Sequence, residues 1–145
     1  MQSKWVLLIL LAGLLAGCQQ RAGMDSDSGQ AEQLTRADGW QVTAMKDMAV
    51  LPQEVEAWFE FDAENQRLQG NTGCNRMSAG YQLGDDGVLS LSALAATKRA
   101  CEPPRMSIEQ ALVENLQTVT SWSISDGHLM LRDADGVVRV VAHAR

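Results

Sequence analysis

The residues of this 145-residue chain best suited to covalent or metal chemistry are three cysteines, Cys18, Cys74 and Cys101, and two histidines, His128 and His143. Cys74 and Cys101 form an even pair far along the chain, and in an exported protein such a pair is read most simply as a disulfide. Two other readings stay open. A redox site would set its cysteines close together at a helix N-terminus, as in Cys-x-x-Cys, so that one thiol pKa falls; these two are distant in sequence. A zinc site could join them to His128 and His143, but neither a paired-cysteine nor a closely spaced histidine pattern is present. For hydrolysis, no serine stands in a nucleophile-elbow motif. The carboxylates Asp85, Asp86, Asp126, Asp133 and Asp135 fall in predicted turns, where Asp is favoured for its backbone hydrogen bonds. That placement counts against glycosidase and calcium roles. The residue inventory therefore predicts no catalytic activity, no metal and no cofactor.

Cys18 has a different setting. Lys4 precedes an apolar run over residues 5–16, and small residues lead into the cysteine. The run is too short to cross the hydrocarbon core, which takes ~20 apolar residues, and fits the ~7–15 of a secretion signal. Leu15-Ala16-Gly17-Cys18 resembles the bacterial lipobox, in which small residues let an extended chain enter a protease and the thiol receives diacylglycerol. Cleavage is then expected after residue 17, with acyl chains such as palmitate on the new N-terminus. A single acyl chain holds with K on the order of 10⁴ M⁻¹, so stable anchoring takes two or more. The alternative is an ordinary secreted protein with a free cysteine near its N-terminus. Position 19 is Gln, whereas Asp there retains enterobacteria-like lipoproteins at the inner membrane, so the periplasmic face of the outer membrane is the expected location.

Loss of residues 1–17, which hold Lys4 and no acid, moves the formal net charge from −6 to −7. An acidic balance argues against nucleic acid, whose phosphates demand a basic face. It argues equally against lying flat on anionic lipid, so the membrane is expected to be met through the lipid anchor alone. The next stretch, residues 18–35, is rich in Ser, Asp, Gly and Gln and is read as a flexible tether, able to span roughly 20–25 Å. Residues 36–145 are assigned to one folded domain.

Within that domain, alternation predicts strands over residues 40–44, 57–61, 68–70, 78–83, 88–94, 121–124, 128–132 and 137–141. Asp126-Gly127 and Asp133-Ala134-Asp135-Gly136 supply the turn chemistry of tight hairpins. One amphipathic helix is predicted, capped by Ser107 with Gln110 completing a capping box and with Ile108, Ala111, Leu112, Leu116 and Val119 on one face. Pro103 and Pro104 are expected to hold the preceding chain extended. The fold class is mainly β: a small antiparallel barrel-like sheet, with the apolar face of one amphipathic helix plugging an end.

The stretch from Trp40 onward resembles the META domain family, which includes HslJ-type heat-shock lipoproteins. The resemblance is carried by Leu68-Gln69-Gly70-Asn71-Thr72-Gly73-Cys74-Asn75-Arg76, by Gly80-Tyr81, by Ala96-Thr97-Lys98-Arg99-Ala100-Cys101, and by Glu109 with the leucines at 112 and 116. The chain departs from the family pattern at Lys98-Arg99, where an apolar residue is usual, and at Met77, where an aromatic is common. The resemblance implies an exported antiparallel β-barrel-like domain linked to stress response, with no established reaction.

Candidate contacts for a ligand or partner are Asn75 and Arg76 after the glycine loop, and Lys98 and Arg99, which with Arg105 make a basic cluster. The bland alternatives are that Asn75 shapes the loop and that the cations form a solvated face. Taken together, the sequence predicts a non-catalytic envelope lipoprotein that acts by binding an envelope protein partner, in stress response or protection. The alternative is a periplasmic small-ligand carrier, which would line a barrel pocket with Trp58, Phe61, Tyr81 and Trp122; the same aromatics packed solid would favour the interaction module.

Overall fold

A computed structural model of the chain describes residues 24–36, 38–49 and 55–145. The signal segment and Cys18 lie outside these residues, as do residues 18–23 of the expected tether. Among the described residues, no helix is long and apolar enough to cross a membrane.

The core of the molecule is a nearly closed antiparallel barrel. Its strands are β1 (Trp40–Met45), β2 (Met48–Ala49), β3 (Trp58–Asp62), β4 (Arg67–Asn71), β5 (Arg76–Leu83), β6 (Leu89–Leu91), β7 (Ala95–Ala96), β8 (Val119–Ser125), β9 (His128–Asp133) and β10 (Val138–Ala144). They run in the order β6-β5-β4-β3-β1-β10-β9-β8, with β2 added to β1 and β7 to β5. The seam between β6 and β8 is bridged by Val88 and Ser121, which leaves little open edge for unwanted strand pairing. Register shifts at 42/44 in β1, 138/140 in β10 and 119/121 in β8 are bulges, and such bulges tighten the twist that closure requires. Gly70 serves the same curvature: a Cβ there would overlap the Trp58 carbonyl on the neighbouring strand.

Alternation explains the filling. β3 turns Phe59 and Phe61 inward and Trp58 and Glu60 outward, and Leu89 of β6 and Leu129 and Leu131 of β9 join them in the core. The predicted turns occur as expected: Asp126 and Gly127 both take positive φ, the geometry of a type I′ hairpin. The strand expected to continue to residue 94 stops at Leu91. There Ser92 takes over, its N–H donating to the Gly80 carbonyl at 2.9 Å and its hydroxyl accepting from the Gly80 N–H at 2.8 Å.

Among the described residues two α-helices close the ends, where the sequence predicts one. Helix α2 (Pro103–Gln117) packs on β1 and β10 and buries Leu112 and Leu116. Its N-cap is Glu102, not Ser107, which lies inside the helix. The two prolines start it because the first turn has no use for their missing N–H groups. Val119 begins β8 and is not on the helix face.

The second helix, α1 (Met24–Arg36), corrects the tether reading over residues 24–35. Its anchor is Leu34, 0 % exposed, whose carbonyl accepts the Trp40 indole N–H at 3.0 Å. It packs against β3, β8 and the 3₁₀ turn Asp85–Gly87, at the opposite end of the barrel from α2. One fully buried leucine in a polar segment leaves no helical stripe for sequence to reveal, and the folded domain begins before residue 36.

Candidate functional site

Most of the residues that carry the resemblance meet at the α2 end, where β4 turns into β5, while Gly80 and Tyr81 lie farther along β5. Gly73 occupies a positive φ, and a Cβ on it would overlap Val55, so the turn tolerates only glycine. Cys74 and Cys101 are disulfide-bonded, with Cα atoms 6.0 Å apart. The link fastens this loop to the segment leading into α2.

Asn75, 2 % exposed, is the hub. Its amide N–H groups donate to the Arg99 carbonyl at 3.0 Å and to Glu109 Oε1 at 3.1 Å. Its Oδ1 accepts from the Thr97 hydroxyl and the Arg99 N–H, both at 2.8 Å. All four of its hydrogen-bonding positions are thus filled. The other Glu109 oxygen, Oε2, accepts from the Thr72 hydroxyl at 2.5 Å, and that hydroxyl in turn accepts from the Asn75 N–H at 2.9 Å. Arg99 Nη2 donates to the Cys74 carbonyl at 2.7 Å, and Arg105 Nη1 to the Gly73 carbonyl at 3.1 Å.

The candidate contacts therefore divide. Asn75 is buried and its amide is committed to the loop, because buried amide groups need partners, whereas Arg99 is exposed and gives Nη2 to the loop. Arg76 and Lys98 remain at the surface, on opposite sides of β7. Arg76 borders an open concavity of about 570 Å³ on the outer sheet face, with Trp58, Glu60, Arg67 and Gln69. Lys98 borders a groove of about 750 Å³ between β7 and α2. Of the basic cluster, Arg99 and Arg105 are held side by side, at the adjacent carbonyls of Cys74 and Gly73, while Lys98 borders the groove.

Three of the four aromatics named for a carrier pocket are packed solid. Phe61, Tyr81 and Trp122 lie in the core, the Phe61 and Tyr81 rings meeting edge to face at 5.1 Å. Trp58 faces outward beneath the Arg145 guanidinium, 4.6 Å from its ring centroid. Burial, aided by the charge of Asp62, pushes the Tyr81 hydroxyl above its ordinary pKa. Asp133 is likewise engaged within the fold. Its Oδ1 accepts from the Asp135 and Val137 N–H groups at 3.0 and 2.9 Å, and Oδ2 pairs with Arg139 Nε at 2.6 Å. Burial raises its pKa, but these bonds outweigh burial and hold the carboxyl below its usual range. His128 and His143 are exposed cross-strand neighbours at one end of the sheet. Among the described residues no three His, Cys, Asp or Glu side chains gather in a metal-holding group.

Residue-level reading of the sequence assigns no role to Thr72, Thr97 or Glu109. Their signal is present only as family spacing, because the contacts of Thr72 with Glu109, Asn75 with Glu109 and Thr97 with Asn75 each join residues more than twenty positions apart.

Among solved structures, the chain is similar to a protein from Burkholderia xenovorans determined by NMR, with 24 % identity, a TM-score of 0.61, and coverage of 79 % of this chain and 86 % of that one. A second NMR structure matches at 19 % identity and a TM-score of 0.60, covering 78 % and 92 %. The crystal structure of a DUF4847 family protein from Bacteroides vulgatus matches at 12 % identity and a TM-score of 0.57, covering 79 % and 97 %. These likenesses show the fold alone. No curated protein matches the chain. The META domain model, in contrast, matches residues 32–145, including both the Gly73 loop and the Glu109 clamp, and so the chain belongs to the META domain family.

Proposed function

We propose that the chain is a lipoprotein, held by Cys18 at the periplasmic face of the outer membrane, whose META domain works without catalysis by binding an envelope protein partner in stress response or protection. The observation that carries the interaction reading is the solid interior: Phe61, Tyr81 and Trp122 fill the space that a carried ligand would need. The non-catalytic reading is supported by Glu109 and Asp133, whose carboxylates are occupied by internal hydrogen bonds. Anchoring is supported by Leu15-Ala16-Gly17-Cys18 and sorting by Gln19.

The test is complementation of a deletion strain under envelope stress, combined with in-cell cross-linking. The wild-type chain is expected to restore survival and to cross-link to a recurrent envelope protein, and Cys18→Ala to do neither fully. Full complementation by the soluble variant without any cross-linked partner would overturn the reading.

A further inference from the structure

The segment that carries Lys98 has one edge in the sheet and, among the described residues, no strand paired to its other edge. β7 pairs with β5 through Met77 opposite Ala96 and Ser78 opposite Ala95. Beyond it, the Thr97 N–H donates to the Arg76 carbonyl at 3.0 Å and the Arg99 N–H to Asn75 Oδ1 at 2.8 Å. Successive residues of an antiparallel ladder send their N–H and C=O groups to opposite sides. Residues 95, 97 and 99 therefore bond toward β5, while Ala96 and Lys98 turn their backbone groups away from it.

Beside that free edge lies the groove of about 750 Å³, with Met106 and Val113 of α2 and Cys101 as its apolar lining. Met106 is 37 % exposed, one of the few large apolar side chains left open to water among the described residues. An unpaired strand edge facing an apolar helix flank suits the addition of a strand from another chain: main-chain hydrogen bonds give affinity and side-chain pockets give selectivity.

We infer that this groove binds an extended segment of a partner protein, added as a strand along residues 96–98, with an apolar side chain on Met106 and Val113 and an acidic side chain against Lys98. Two features choose this occupant. The outward N–H and C=O groups of Ala96 and Lys98 repeat at strand spacing, which a peptide main chain matches and a lipid tail does not. The charges are complementary to a polarised segment: Lys98 stands exposed on the strand side, while Gln110 and Glu114, joined at 2.9 Å, stand on the helix side. An acidic residue suits the first rim and a basic one the second. The inference rests on the interaction reading above and specifies the surface that carries it.

The experiment selects a displayed library of random dodecapeptides against the full chain in detergent micelles, with the Ala96→Pro variant as counter-selection. Proline at 96 removes an outward N–H and no ladder bond to β5, and retention of the disulfide and of the circular dichroism spectrum verifies its fold. Val113→Asp, on the groove wall, serves as a second variant. Peptides enriched on the wild type are expected to shift the amide resonances of Ala96, Lys98, Met106 and Val113. They are expected to lose at least tenfold in affinity on N-methylation and on either substitution. No enrichment over the variant, equal affinity after N-methylation, or shifts confined to the outer face around Trp58 and Arg76 would overturn the inference. The interaction reading is judged separately: a recurrent cross-linked partner that contacts the outer face would leave it standing while this groove assignment falls.

Discussion

Asn75 and Glu109, 34 residues apart in sequence, are joined by a 3.1 Å hydrogen bond that ties the glycine loop of the barrel to helix α2. Both side chains are engaged through every polar atom, because Thr72 holds the second Glu109 oxygen and Arg99 and Thr97 complete Asn75. Asn75→Ala is expected to destabilise the domain by about 1–3 kcal/mol, since it removes the partner of several loop and helix groups at a buried position. Chemical denaturation measures the loss. A double-mutant cycle with Glu109→Ala is expected to give a coupling above about 0.5 kcal/mol, whereas additive losses would say that the two side chains do not act together.

How much of this was legible in the sequence depends on the range of the interaction. The strand around Leu89 and Leu91 and the Asp126-Gly127 hairpin are local, so alternation and turn chemistry revealed them. Helix α1 was not visible, because it is held by Leu34 against the barrel end and not by an apolar stripe of its own. β7 escaped because two alanines carry no period. At the site, the cysteines and Asn75 stood out as residues, but the role of Asn75 as hub is set by groups brought in from β7 and α2.

The disulfide closes a 27-residue interval, and chain entropy assigns such a loop roughly 3.5 kcal/mol. Reduction, or Cys101→Ser, is expected to lower the melting temperature by several degrees in calorimetry. An unchanged melting temperature would show that the link contributes nothing to the fold.

Acid is expected to weaken the domain partly through Asp133. Its folded carboxyl titrates below the ordinary value of 3.8, so the unfolded chain takes up the proton first as pH falls. The stabilisation is full above the unfolded value and is lost as pH drops through the lower folded one. Denaturation midpoints followed from pH 6 to pH 2, experimental settings spanning roughly the carboxylate range, are expected to show a shallower acid limb for Asp133→Asn. An identical limb would remove Asp133 from the account.

The two faces of β3 are expected to answer differently to truncation. Phe59→Ala empties part of the core and is expected to cost about 3–5 kcal/mol. Trp58→Ala loses the outer-face contact with Arg145, worth about 0.5–1 kcal/mol at an exposed site. Equal losses in urea titration would contradict the assignment of inward and outward faces.

Anchoring through Cys18 is the step on which the proposed location and action depend, and the intact mass of the natively expressed, membrane-extracted protein tests it most directly. The account predicts the mass of residues 18–145 plus acyl groups, increasing by two hydrogens on reduction. An unlipidated mass would contradict the envelope-anchored reading.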